Sequence, residues 1–323
     1  MLAPIILFVY NRPWHTQQTV EALQRCELAA DSELYIFADG PKPDASDETK
    51  ANIVEVRQYI HSINGFSQIH IEEADANKGL ANSVINGVTK VIEKHGKAIV
   101  VEDDIVVHPF FLRFMNDALD FYEYDIRIFC VSATMENFTI PPEYKNDVFL
   151  TYRAGSWGWA TWLDRWLMNN WDINSYPIIR HPTKKLIKRF CRGGDDLWPL
   201  LHAQFWGEID SWAIRYCYNM EMFDKLCLRP TKSFVSNIGM DNSGTHFEEC
   251  VVSLLPLYDS DSYNMCLDSD LQINNRISKS IQQVFKNASR TSRRKINPIK
   301  KAKRMIKKSL WFLWESNKRN NVL

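Results

Sequence analysis

Apolar and polar positions fall into two kinds of block along the first third of the chain. Short, mainly apolar runs at residues 5–10, 34–38, 69–72 and 98–107 read as strands, and the Val/Ile-rich ones as strands covered on both faces. Residues 14–26, 50–64 and 81–94 lie between them and carry apolar side chains at helical spacing, Val20 and Leu23 among them. Strand and helix in strict alternation predict a mostly parallel sheet with helices on its faces. Further along, residues 110–124 predict an amphipathic helix through Phe111, Phe114, Met115 and Leu119. Residues 128–132 read as a strand, and residues 212–223 and 277–285 as helices. Residues 152–162 hold Gly155, Trp157, Gly158, Trp159 and Trp162, a tight turn packed by aromatics or a set of flat faces for a sugar.

The run at 98–107 contains Glu102-Asp103-Asp104 inside an otherwise apolar strand. Buried carboxylates are costly unless a cation compensates them. A hard divalent ion that also holds a nucleotide's phosphates meets that need, and an ordinary acidic turn is the plain alternative. In parallel α/β sheets ligands bind beyond the carboxyl ends of the strands. Asn11-Arg12, Asp39-Gly40, Asn77-Lys78-Gly79 and the acidic triplet all fall at those ends. No glycine-rich dinucleotide fingerprint or phosphate loop is present, which speaks against a nicotinamide enzyme or a P-loop kinase.

Composition changes this picture in three ways. A chain of 323 residues with 45% hydrophobic content supports a sizeable core. The seven cysteines are scattered without a CxxC pair, against a disulfide framework or zinc site and for a reducing compartment. The net charge of zero hides a basic tail. Residues 277–323 carry 14 Lys/Arg against Glu315 alone, about +13, and the preceding residues offset it. That tail, with Trp311 and Trp314 near its end, suits an anionic membrane surface. The acidic body and the lack of a nucleic-acid module argue against a nucleic-acid partner. The apolar run at 5–10 is too short to span a membrane, so the expected place is the cytoplasm, peripheral on the inner face of the plasma membrane.

NRP after strand one, DG after strand two, NKGLANSV opening a helix and VVEDD after strand four resemble the GT-A fold of nucleotide-sugar glycosyltransferases. The likeness continues through VVEDDIVVHPFFLRFM, FCVSATMEN, YRAGSWGWATW, EIDSW and RPTKSFVSNIGMDNSGTHF. In that order the blocks are similar to the eukaryotic N-acetylglucosaminyltransferase I family and its bacterial relatives, over roughly residues 3–247. Unlike the eukaryotic members, this chain shows no transmembrane stem and adds the basic tail.

The resemblance implies an α/β, Rossmann-like GT-A domain with a nucleotide-sugar half (1–108), an acceptor half (109–266) and a basic helical tail (267–323). It implies an inverting transferase that uses Mn2+ or Mg2+. The sugar, N-acetylglucosamine by default, would pass from a UDP-sugar to a glycan or lipid-linked saccharide in bacterial surface polysaccharide synthesis. Asp104 matches the family's metal ligand, and Asp103 and Glu102 match positions facing the ribose. Arg12 and Asp39, with Asn11 beside them, match the surroundings of the uracil, where Arg can stack or donate and Asp can accept from the ring N–H. Asn77 and Lys78 stand near the nucleotide, and Asn77 serves equally well as a helix N-cap. Asp210 matches the catalytic base that takes the acceptor's proton. It also precedes a helix as an N-cap would, and Glu208 is the reserve base. Trp157, Gly158, Trp159 and Trp212 are candidate sugar contacts. His246, in the glycine-bounded loop 236–247, is a second candidate for the metal or a phosphate. Two other readings remain open on the residues themselves. One is a sugar nucleotidyltransferase, which needs a basic loop after strand one. The other is a non-catalytic sugar-binding protein of a polysaccharide assembly complex.

Overall fold

Strands and helices alternate from the first residues, as the apolar pattern requires. The computed structural model describes residues 1–239 and 258–293, with side chains through Lys286. The first third runs β1 (Ile5–Val9), α1 (Pro13–Gln24), β2 (Glu33–Ala38), α2 (Asp47–Ile60), β3 (Gln68–Glu73), α3 (Leu80–His95) and β4 (Lys97–Glu102). Local chemistry sets several boundaries. Pro13 opens α1, where its missing N–H costs nothing. Ser46 accepts from the Thr49 amide at 3.1 Å to start α2, with Asp47 and Glu48 in the first turn. Gly96, at φ 77°, ends α3 after Lys94 and His95.

The chain continues with β5 (Ile105–Val107), α4 (Phe111–Phe121), β6 (Ile128–Ser132), β7 (Val148–Thr151) and β8 (Trp159–Trp162). Short helices α5 (Leu163–Trp166), α6 (Pro177–Arg180) and α7 (Lys184–Phe190) lead to α8 (Leu197–Phe205) and α9 (Trp212–Met222). β9 (Leu226–Pro230), β10 (Val235–Asn237) and α10 (Asn275–Arg293) follow. The main sheet has the order β3-β2-β1-β4-β8-β6-β9-β7. Its strands share one direction except β8 and β7, which run against their neighbours. The fold is therefore α/β with a mostly parallel sheet between helices, of the GT-A or Rossmann-like kind. Alternate residues of β1 feed opposite layers: Ile5, Leu7 and Val9 pack with α1, α2 and α4, and Ile6 and Phe8 with α3.

Two sequence expectations need correction. The strand expected over residues 98–107 is two strands separated by a turn at Asp103-Asp104. β4 stays in the main sheet, whereas β5 leaves it and pairs antiparallel with β10. Two carboxylates in a continuous central strand would lack counter-charge, and the turn carries both to Arg12. Residues 159–162, expected within a turn, form β8 between β4 and β6. All four are buried, so no polar alternation marks this strand in the sequence. The six described cysteines are free. Among the described residues no helix is long and apolar enough to cross a membrane.

Candidate functional site

The site is built on the rim where β1, β2 and β4 end. Arg12 caps β1 and reaches across to the turn after β4. Its Nη2 donates to Asp103 Oδ1 and, at 2.9 Å, to Asp104 Oδ2. One guanidinium thus faces two adjacent carboxylates, an arrangement its forked donors suit. Burial disfavours the Arg12 charge, but the two carboxylates outweigh it and raise its pKa further. Asp103 is buried, and its carbonyl accepts from Thr19 at 2.9 Å, which ties the turn to α1. Burial and Asp104 raise the Asp103 carboxyl, with Arg12 opposing. Asp104 Oδ1 is buried and has no hydrogen-bond partner among the described residues.

The chain after β10 closes over this group. The Ile238 amide donates to the Asp104 carbonyl at 2.9 Å. A Cβ on Gly239 would lie 2.2 Å from Asp104 Oδ2 and 2.8 Å from Arg12 Nη1. Only glycine leaves the carboxylate where it is. The unpartnered oxygen and the glycine opening suit a hard cation. Among the described residues no three His, Cys, Asp or Glu side chains gather as a metal cage. A cation here would therefore depend on Asp104 and on a ligand's own oxygens, as Mg2+ does when one or two carboxylates and substrate phosphates hold it. His246 and most of the expected loop lie outside the described residues.

Asp39 proves to be a strut. Its Oδ1 accepts from the Gly40 and Lys78 amides at 2.9 and 2.8 Å. Its Oδ2 accepts from Asn77 Nδ2 and the Gly79 amide at 2.9 and 3.1 Å. A carboxylate offers about four lone-pair sites, and all four are taken. In this arrangement Asp39 fixes the loop between β3 and α3. The N-cap expected at Asn77 is corrected, because Gly79 caps α3 and Asn77 bonds to Asp39 and the Gly40 carbonyl. Lys78 is exposed, 3.9 Å from Glu72, and Asn11 is half-buried in the turn after β1.

The start of α9 meets the same rim. The Trp212 side chain lies beside the Glu102 carboxyl, and a Cβ on Gly79 would stand 4.0 Å from Asp210 Oδ2. Asp210, 56% exposed, pairs with Arg215 at 3.2 Å. Ser211, and not Asp210, caps α9, accepting from the Ile214 amide at 3.3 Å. Asp210 is thereby left open for other work. Glu102 keeps partial solvent access, yet its dense surroundings and then the charges of Asp104 and Asp103 push its carboxyl up to about 8. Arg12 and Trp212 counter only part of that.

No protein-family model matches the chain, and no curated protein matches it. Solved structures overlap part of it. S. aureus TarS residues 1–349 superpose with a TM-score of 0.39 at 12% identity, over 73% of this chain and 60% of that one. The same fragment in complex with UDP gives 0.36 at 12% identity, again over 73% and 60%. UDP-glucose pyrophosphorylase complexed with UDP-glucose gives 0.36 at 12% identity, over 71% of this chain and 90% of that one. The chain thus spans about 60% of the TarS fragment.

Not every expected sugar contact stands on the surface. Trp159 and Trp212 are 1% and 4% exposed and stack at 4.8 Å in the core beneath α9. Neither offers a free face to a sugar. Gly158, at φ 61°, admits close approach by the core: a Cβ there would meet Val235 at 2.8 Å and Phe111 at 3.0 Å. Trp157 is half-buried and lines a cavity, and Glu208 is exposed at the turn before Asp210. Sequence reasoning missed Arg153, Glu136 and Arg229, and read Gly239 only as a boundary of the loop 236–247. An arginine inside the apolar stretch 226–230 was the available signal for Arg229. It is buried and ion-paired with Glu136.

Proposed function

We propose that the protein is a divalent-cation-dependent, inverting glycosyltransferase that uses a UDP-sugar, N-acetylglucosamine being the default sugar. The observation that carries this reading is the approach of two acidic centres at one rim: the Trp212 side chain, two residues beyond Asp210, lies beside the Glu102 carboxyl, the neighbour of the Arg12–Asp103–Asp104 group. A transferase needs a place for a leaving diphosphate and a base for the attacking hydroxyl close together. Asp104, with its unpartnered Oδ1, would hold Mn2+ or Mg2+. The bound cation supplies charge neutralisation for the departing diphosphate. Arg12 balances the carboxylates so that the ion meets a group of modest net charge. Asn11 and the loop set by Asp39, with Asn77 and Lys78, form the nucleotide side. Asp210 takes the proton of the acceptor hydroxyl as it attacks the anomeric carbon, while the bond from that carbon to the phosphate oxygen breaks. Arg12 is engaged by Asp103 and Asp104, which leaves no free cation in the turn after β1 for a triphosphate and disfavours the nucleotidyltransferase reading.

The acceptor would be a glycan or lipid-linked saccharide, and the basic tail would keep the enzyme at an anionic membrane on its cytoplasmic face. The test is a panel of UDP-sugars with Mn2+ or Mg2+, monitored for UDP release and binding. Turnover that Asp104→Ala and Asp210→Asn each abolish supports the reading. No binding or turnover of any donor, together with unchanged behaviour of Asp104→Ala, overturns it.

A further inference from the structure

A cavity of about 200 Å³ lies behind the segment that carries Asp210. Its walls combine apolar faces from Trp157, Leu200, Ile214 and Phe285 with the hydroxyl residues Thr134, Ser156 and Ser211. Its charged residues are already matched. Arg153 holds Asp196 through two bonds of 2.9 and 2.8 Å, and Arg229 is paired with Glu136. A charged ligand would find no free counter-charge, so the cavity suits a neutral one. Glu136 also lines it and spends Oε1 on Arg229, while its Oε2 and the Arg229 Nε are both buried with no partner among the described residues. A carboxylate oxygen can only accept and a guanidinium N–H can only donate, so the complement of the two is a group that does both, such as a hydroxyl. Aromatic and aliphatic walls, hydroxyls and an unfilled acceptor together match a saccharide ring, which is apolar on its faces and rich in hydroxyls at its edge. Sites for drug-sized ligands measure about 300–1,000 Å³. At about 200 Å³ this one takes a single ring.

The cavity's place relative to Asp210 defines which ring. Ile209 and Ser211 both wall it, whereas Asp210 between them turns toward Arg215 and the loop at Gly79. Consecutive side chains of an extended segment point to opposite sides, and Ser211 is extended at φ −126° and ψ 115°. A ring in the cavity therefore sits against the back of this segment, away from the Asp210 carboxylate. We propose that the cavity binds a non-reacting ring of a multi-ring saccharide acceptor. The assignment rests on the glycosyltransferase reading above. Helix α10 belongs to this site. Phe285 lies under the Arg153 guanidinium at 3.5 Å and closes one wall.

The test uses the full chain and a panel of mono-, di- and trisaccharides, with binding read by saturation-transfer NMR. UDP with Mn2+ serves as the donor-side control. Ser156→Phe places a phenyl ring in the cavity, and Phe285→Ala removes a wall. Wild-type protein is expected to bind saccharides of two or more rings. Ser156→Phe is expected to weaken that binding about tenfold or more while leaving UDP affinity within about twofold, because the added ring displaces the ligand and not the donor. If Ser156→Phe fails to fold, Phe285→Ala carries the same expectation. Saccharide binding equal to wild type in a folded variant, or no saccharide binding at all, overturns the proposal. Loss of UDP binding by the wild type strikes the transferase reading instead, and leaves a Ser156→Phe-sensitive saccharide site standing.

Discussion

Gly239→Ala tests the rim of the sheet through a single methyl group. The added Cβ would stand 2.2 Å from Asp104 Oδ2 and 2.9 Å from Asp104 Cγ. Real Cβ contacts stay at or above about 3.0 Å, so the carboxylate must retreat by roughly 0.8 Å. Arg12 Nη1, at 2.8 Å, blocks one direction of retreat, and the Arg12–Asp104 bond stretches in the others. Overpacking of this kind costs about 1–3 kcal/mol, which would lower the melting temperature by a few degrees. The larger effect is on ligand geometry. A misplacement near 1 Å at a reacting or ligating group can cost about 100-fold, so affinity for Mn2+ in the presence of UDP should fall about 10- to 100-fold. Calorimetric titration of Mn2+ into protein with saturating UDP measures the affinity, and thermal melting without ligands separates it from stability. Wild-type Mn2+ affinity in a folded Gly239→Ala protein would refute the assignment of Asp104 to the cation.

Three further outcomes follow from the same geometry. Glu136→Ala leaves the Arg229 charge buried and unpaired, so urea unfolding should show a loss of about 3–5 kcal/mol, and replacing both residues by apolar ones should recover much of it. The Glu102 carboxyl titrates at about 8 in the fold against 4.5 in the unfolded chain, so the native state holds the extra proton. Cation-free stability should therefore fall as pH rises from about 5 to 8, with Glu102→Gln flattening that slope in pH-dependent urea unfolding. Removal of residues 294–323, which carry most of the tail's Lys and Arg, should abolish co-sedimentation with anionic liposomes; equal pelleting of both forms removes the membrane role.

Much of the rim at the strand ends could be read from residue order. Strand, turn and helix alternate in the first hundred residues because each apolar run is local and its period survives without tertiary information. The polar clusters at the strand ends were legible for the same reason: topology puts the carboxyl ends of parallel strands on one side. The chain beyond β5 was less legible. β7, β8 and β9 are short and buried, with antiparallel pairing among distant segments, and such runs show no period to distinguish them from turns.

The chain by itself determined the α/β class, the position of the acidic triplet at a strand end and the nearness in sequence of Asp210 to a helix start. These depend on side-chain period and on local turn and cap chemistry. Tertiary structure alone decided how each acid is used. Asp39 spends its lone pairs on Gly40 and the loop at residues 77–79, Ser211 frees Asp210 from capping, and Trp159 and Trp212 stack in the core. Asp103 and Asp104 break the expected strand to share Arg12, which lies about ninety residues earlier in the chain. Partners so far apart in sequence leave no local signal, since the free energy of a buried charge depends on which groups the fold places around it.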